Sequence, residues 1–228
     1  MKRSDINCIL DRAERFIASF GYVLPPFAAM SPDDMKTRRE EIAGIVEARL
    51  GWDVTDYGKG DFDRTGLFLF TVRNGRAADL AQGSGMLYAE KIMISRKDQV
   101  APMHRHWVKA EDIVNRGGGT LALKLYMPDA QGAIDHAAPV EVPCDGIVRR
   151  LEPGGILRLA PGESVTLLPG VWHAFWAEQG DVLIGEVSTV NDDSTDNWFA
   201  EPVARFSTVE EDEAPRRLLV SDYPAWLG

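Results

Sequence analysis

From Trp52 onward the chain is written in short apolar runs, at residues 67–72, 86–94, 120–127, 147–151, 156–159, 165–168, 171–176 and 182–190, each bounded by Gly, Pro, Asn or Asp. Runs of this length between turn residues read as β-strands. Many such strands in succession restrict the fold to antiparallel sheets that pack face to face or close on themselves, a sandwich or barrel of jelly-roll type. The 45% hydrophobic content is ample for the core this requires. A chain of 228 residues suits one such barrel with additions, so a single domain is expected.

The additions lie at the two ends. Residues 4–19 carry Ile6, Ile9, Leu10, Ala13, Phe16 and Ile17 at helical spacing, with Ser4 or Asp5 available as a cap. Ser31-Pro-Asp-Asp has the cap, the proline and the first-turn acids of a second helix, expected to run to about Leu50 and stop at Gly51. Beyond residue 190, Trp198, Phe199 and Phe206 call for burial, so the 191–228 tail is expected to pack back on the barrel and could deliver a catalytic group across its mouth. The acidic run at 210–213 reads as a solvated loop. Gly117-Gly118-Gly119 reads as a hairpin turn ahead of a strand from Thr120.

Three of the four histidines fall in two segments, Ala101-Pro-Met-His-Arg-His-Trp-Val-Lys-Ala-Glu111 and Leu168-Pro-Gly-Val-Trp-His173. On a strand, His104 and His106 share one face and can grip one metal ion. Glu111 lies at an odd offset from them and needs a turn or bulge to return to that face. His173 must arrive from a different strand. A site of three imidazoles and one carboxylate, with no thiolate, suits Mn, Fe, Co, Ni or Zn and leaves two positions open on an octahedral ion. His136, in a polar loop, is read as structural or exposed.

The pattern His104-x-His106-x4-Glu111-x6-Gly118, followed by Gly162-x6-Pro-Gly170-x2-His173, resembles the two metal-binding motifs of the cupin superfamily. The second motif has one extra residue between its Gly and Pro, and Ala177 stands where an Asn is usual; neither departure touches a ligand position. The resemblance implies a mainly β fold: a cupin jelly-roll barrel over residues 52–190, with a helical N-terminal segment, 1–51, and a C-terminal tail, 191–228, packed on it. A wider set of segments is similar to the D-lyxose isomerase family of cupin sugar isomerases: Trp52-Asp-Val-Thr-Asp-Tyr-Gly58, residues 66–75, Glu90-Lys-Ile-Met-Ile-Ser95, residues 112–119, His173-Ala-Phe-Trp176 and residues 185–193. That similarity implies interconversion of D-lyxose with D-xylulose and of D-mannose with D-fructose, with Mn²⁺ or a similar ion held by His104, His106, Glu111 and His173. It further implies a homodimer.

Such an isomerisation needs a group that takes a proton from one sugar carbon and returns it to its neighbour. Glu186 interrupts the apolar stretch 182–187 and suits a base if it points inward. Glu201 best fits the tail-region glutamate that the family resemblance implies, with Glu211 as the fallback. Lys109, inside the metal motif, is a proton donor or oxygen clamp if it is not simply a surface lysine. Lys91 contacts sugar hydroxyls or else only pairs with Glu90. Trp107 and Trp172 flank the ligands and serve a sugar face or the core.

The net charge of −10 disfavours nucleic acid and acidic membranes as partners and leaves a small sugar as the expected one. Cys8, in a helix, and Cys144, in a loop, have no neighbour at metal spacing and read as free thiols. No signal-peptide core or membrane-length apolar run is present, which points to the cytoplasm. Two other functions share the motif: an Fe-dependent cupin dioxygenase, which needs a dry apolar pocket, and a non-catalytic sugar-binding cupin, which needs no inward base.

Overall fold

The computed structural model describes residues 1–228. Five helices occur in order: α1 (Arg3–Ser19), α2 (Pro32–Thr37), α3 (Ala43–Glu47), α4 (Ala77–Gln82) and α5 (Tyr223–Leu227). None is long and apolar enough to cross a membrane. Twelve strands carry the fold: β1 (Gly51–Thr55), β2 (Leu67–Arg73), β3 (Tyr88–Ser95), β4 (Ala101–Arg105), β5 (Glu111–Pro128), β6 (Ile134–Asp135), β7 (Val140–Cys144), β8 (Ile147–Leu151), β9 (Ile156–Leu159), β10 (Ser164–Leu167), β11 (Trp172–Thr189) and β12 (Trp198–Phe199).

The strand β11 is the hub. One edge pairs with β5 along most of its length, and the other pairs first with β4 and then with β3. The sheet continues β3–β2–β1 on one side and β4–β12 on the other, while β5 also takes β9 and β10. The result is a curled, cupin-type sheet with an inside and an outside. Strand alternation sorts the side chains between them. Leu67, Leu69, Met93, Ile113, Phe175 and Ile184 face inward into one core. Phe68, Phe70, Ile92, Ile94 and Leu183 face outward into a second core under α1. Burial on both faces explains why β2 reads as a nearly continuous apolar run rather than an alternating one.

The helix α1 covers the outer face with Ile6, Leu10, Ala13 and Ile17, an i, i+4, i+7, i+11 stripe. Each large aliphatic side chain so buried contributes about 1.5–3 kcal/mol. Its N-cap is Lys2, with no side-chain cap, rather than Ser4 or Asp5. Those two side chains are inside the helix, and Ser4 instead bonds Asp212 of the tail.

The second helix begins as its sequence requires. Ser31 and Asp34 form a reciprocal capping box and Pro32 opens the helix. It does not reach Leu50: α2 ends at Thr37 and α3 resumes at Ala43. Met35 and Ile42 are drawn into a small core with Leu218, Tyr223 and Leu227.

Three further expectations are corrected. Gly117–Gly119 is not a hairpin turn but lies inside the single strand β5. There the pairing with β11 slips register, and Gly118 takes φ 102°. A Cβ on Gly118 would come within 2.1 Å of the Asp181 carbonyl oxygen, so glycine is required by close backbone approach at a bulge. The Asn115 side chain bridges the bulge, donating to the Gly119 carbonyl and accepting from Gly117 N–H. Likewise, 171–176 and 182–190 are parts of one strand, β11. Cys144 is the buried last residue of β7 rather than a loop residue, and both cysteines are free thiols.

Candidate metal centre and active site

Alternation places His104 on the inner face at the end of β4, and His106 follows on the same side. His173, at the start of β11, is the register partner of His104. The chain then turns through residues 106–110 and re-enters the sheet at Glu111, the first residue of β5. Asp196 shapes that turn: its carboxylate accepts the N–H groups of Trp107, Val108 and Lys109. The odd offset between His106 and Glu111 is thus absorbed by a turn capped from the tail.

The three imidazoles converge, with one ligand nitrogen from each of His104, His106 and His173 all within 4.8 Å of one another. Every Nδ1 faces a backbone carbonyl: Pro102 at 2.7 Å from His104, Asp196 at 3.0 Å from His106, and Val171 at 3.1 Å from His173. A carbonyl can only accept, so Nδ1 carries the proton and each Nε2 presents a lone pair. Burial, reinforced by the neighbouring histidines, holds the His104 pKa well below the ordinary value. Burial lowers that of His173 to about 4. Both rings are therefore neutral and ready to ligate at physiological pH.

Glu111 Oε1 lies 3.4 Å from His106 Nε2 and 3.2 Å from His173 Nε2. Glu111 Oε1 and His106 Nε2 are buried and have no hydrogen-bond partner. A carboxylate oxygen facing imidazole lone pairs with no proton between them is an arrangement that a cation satisfies. The donor set, nitrogen and oxygen without thiolate, fits a divalent first-row ion.

Behind these groups runs a buried chain of charges. Lys109 Nζ lies 2.6 Å from Glu111 Oε2 and 3.1 Å from Glu186 Oε1. Lys91 Nζ lies 3.5 Å from the same Glu186 oxygen and 3.3 Å from Asp193 Oδ1. Arg205 bridges Asp53 at 2.8 Å and Asp193 at 3.0 Å. Burial alone would raise the Glu111 carboxyl, but the Lys109 ammonium beside it overcomes this and holds it well below the usual carboxylate range. Burial is likewise overcome at Asp193, by Lys91 and Arg205. Desolvation would lower Lys109, yet Glu111 and Glu186 keep it above its ordinary value and charged. At Asp53 burial wins and raises the carboxyl in spite of Arg205.

Glu186 is inward and only 4% exposed, on the core side of β11 with Ile184. Its Oε1 takes both lysines, and no hydrogen bond is made to Oε2. Lys91 is its cross-strand partner in the β3–β11 register and does not pair with Glu90, which bonds Arg73 instead. Lys109 is buried rather than a surface lysine. Together these groups line a small pocket of about 30 Å³.

Glu201 does not line this cavity. It is exposed and borders a separate surface hollow with Lys59, Met103 and Tyr126. Glu211 is engaged by Arg3, away from the site. Trp172 is buried and donates to the Gly132 carbonyl, whereas Trp107 and Trp198 are half exposed, against the burial expected of Trp198. His136 is exposed, as read from the sequence. Sequence reasoning missed Asp193, Asn197, Phe199 and Arg205 as lining residues, and Asp53 as the partner of Arg205 behind them. Asp53 and Asp193 do fall inside the quoted segments 52–58 and 185–193; for Arg205 no local signal existed, because its partners are distant in sequence.

The chain matches the family described as D-lyxose isomerase over residues 1–223. It is 48% identical over 231 residues to a D-lyxose/D-mannose isomerase of Serratia proteamaculans, covering 100% of both chains. It is 45% identical over 228 residues to the enzyme of the same name from Escherichia coli O157:H7, covering 98% of each. Among solved structures it resembles an L-ribose isomerase of Acinetobacter sp. DL28 in complex with L-ribose, with a TM-score of 0.62 at 14% identity, over 92% of this chain and 98% of that one. At that identity the likeness establishes the fold alone.

Proposed function

Because the chain belongs to the D-lyxose isomerase family, and is thereby a sugar aldose–ketose isomerase, we propose that it interconverts D-lyxose with D-xylulose and D-mannose with D-fructose. In this reading a divalent ion, Mn²⁺ first and Co²⁺, Zn²⁺, Fe²⁺ or Ni²⁺ as substitutes, is held by His104, His106, His173 and Glu111. The observation that carries it is the convergence of three lone-pair nitrogens, those of His106 and His173 at 3.4 and 3.2 Å from an unpartnered Glu111 oxygen, beside the inward Glu186. When bound, the ion supplies Lewis-acid polarisation of the sugar's adjacent carbonyl and hydroxyl oxygens.

The chain's own residues do the rest. Glu186 Oε2, which receives no hydrogen bond, takes the proton from carbon 2 of the aldose and returns it to carbon 1, while the hydroxyl proton of oxygen 2 passes to oxygen 1. Lys91 and Lys109 grip Oε1 and hold the carboxylate in one orientation. Lys109 also holds Glu111 Oε2, leaving Oε1 aimed at the histidines. The ammonium groups of Lys91 and Lys109 offer charge to the oxygens that become negative in the transition state. Glu186 takes precedence over Glu201 as the base because it reaches the cavity. The whole chain, 1–228, acts as one unit, since tail residues Asp193, Asn197, Phe199 and Arg205 complete the cavity wall. It works as a homodimer on a small sugar.

A charged, hydrogen-bonded cavity does not suit a dioxygenase, and an inward carboxylate does not suit a purely binding cupin. The test is to incubate metal-free protein with D-lyxose under anaerobic conditions, with and without Mn²⁺. D-Xylulose formed only with the ion is expected. No turnover in either arm, or turnover only when oxygen is admitted, overturns the proposal.

A further inference from the structure

The three clustered imidazoles are not held alike. His104 and His173 each direct Nδ1 at the carbonyl two residues earlier, that of Pro102 and that of Val171. Those partners come with the segments that carry the rings. His106 takes its partner from 90 residues away, the carbonyl of Asp196 in the tail. The second hydrogen bond of a ligating histidine fixes its tautomer and the plane of its ring. For His106 that bond exists only while the tail is docked.

The Asp196 side chain acts on the same turn. Oδ1 accepts the N–H groups of Trp107 and Val108 at 2.8 and 3.0 Å, and Oδ2 accepts that of Lys109 at 2.9 Å. No backbone carbonyl takes these three donors. Three successive N–H groups closed around one carboxylate form an anion nest. Little packing supports the turn otherwise, since Trp107 is 49% exposed and Val108 61%. Yet the turn sets where His106 points, where Lys109 meets Glu111 and Glu186, and where Glu111 enters β5. Asp196 itself does not line the cavity.

We propose that Asp196 is a positioning residue for the metal centre, and that through it tail docking and ion binding are one linked equilibrium. This rests on the proposed metal centre and adds the tail to it. The tail is fastened elsewhere on either side of Asp196. Asn191 exchanges hydrogen bonds with Asn74, and Trp198 and Phe199 pair with Arg105 and His104 on the edge of β4. Between those anchors Asp196 supplies the hydrogen bonds to the turn. Linkage is reciprocal: whatever the docked tail adds to the affinity for the ion, the bound ion adds to tail docking.

The test is the Mn²⁺ affinity of the full-length protein, by competition with a chromophoric chelator, together with backbone hydrogen exchange with and without the ion. Asp196→Asn keeps the volume but leaves one acceptor oxygen for three N–H groups, and Asp196→Ala leaves none. Both are expected to weaken Mn²⁺ binding, by about 10- to 100-fold, with circular dichroism of the metal-free protein unchanged. Asp192→Asn alters a carboxylate of the same stretch that bonds only Ser194 and Thr195, and is expected to bind Mn²⁺ as wild type does. In wild type, Mn²⁺ is expected to slow exchange across residues 107–109 and 192–199 by about tenfold or more, and Asp196→Ala to abolish that protection. Asp196 variants of wild-type affinity, or an Asp192→Asn loss as large as theirs, overturn the proposal. Should both Asp196 variants fail to fold, wild-type exchange decides alone, and a tail that Mn²⁺ does not protect overturns it. Wild-type protein that takes up no Mn²⁺ overturns the metal centre itself, and this proposal with it.

Discussion

Arg3 and Lys109 are both buried cations held between two carboxylates, yet one cluster is closed and the other open. Arg3 spends Nε and one terminal nitrogen on Glu211 and both terminal nitrogens on Asp222, at 2.6 to 3.0 Å. Asp222 is also fastened to Leu219 N–H. No side-chain atom in that group is left without a partner. Around Lys109 the opposite holds: Glu111 Oε1 and His106 Nε2 stay orphaned although both are buried. A closed cluster ties the first helix to the tail and needs nothing more. An open one is stable only with something added, which is why the unmet atoms, rather than the salt bridges, mark the working part of the molecule.

The contrast is sharpest for Glu186. Glu186→Gln removes the proton acceptor and keeps the volume, so turnover of D-lyxose is expected to fall about 10³-fold, with bound metal by elemental analysis unchanged. Loss of metal together with activity would instead make Glu186 part of the cation's support. Arg3→Met tests the closed cluster and should leave turnover at ambient temperature intact. Breaking the buried pair is expected to cost about 3 kcal/mol, toward the low end because Glu211 is half exposed. For a chain of this size that lowers Tm by about 6–12 °C. An unchanged Tm would show that the helix–tail tie carries no stability.

Acid should erase the second difference. The Arg3 hydrogen bonds lower the Glu211 pKa below 4.5 in the folded state. Such a group adds stability that is present above its unfolded pKa and is lost as pH falls through the folded one. The Tm gap between wild type and Arg3→Met is therefore expected to narrow below about pH 4.5. A gap constant down to pH 3 would mean that Asp222 alone sustains the interaction. The smallest effect belongs to Glu201→Gln, expected to stay within about twofold of wild-type turnover, as for a surface substitution away from the cavity. A drop as large as that of Glu186→Gln would move the base into the tail.

Much of the site could be read before any fold was known. The i, i+2 spacing of His104 and His106 needs only a strand to converge, and the offset of Glu111 demanded the turn that Asp196 is seen to cap. Lys91 and Lys109 were ambiguous for a physical reason. A lysine beside an acid looks the same whether it faces water or a cavity, and only cross-strand register made Lys91 the partner of Glu186 instead of its neighbour Glu90. Gly117–Gly119 misled because glycines that admit a bulge and glycines that make a turn share a composition; what separates them is the Asp181 carbonyl pressed against Gly118, supplied from another strand.

What the linear chain determined by itself was everything periodic or local: the strand-rich texture, the apolar stripe of α1, the Ser31 cap and the pair of histidine segments. These depend on backbone geometry and near neighbours. What only the tertiary structure decided was parity and closure: that Glu186 points in and Glu201 does not, that Arg205 joins Asp53 to Asp193, and that Arg105 is left without an acid. Each of those depends on residues far apart in sequence being brought within hydrogen-bond reach, or kept out of it, and a side chain's charge state in a low-dielectric interior is set by those partners rather than by its own position in the chain.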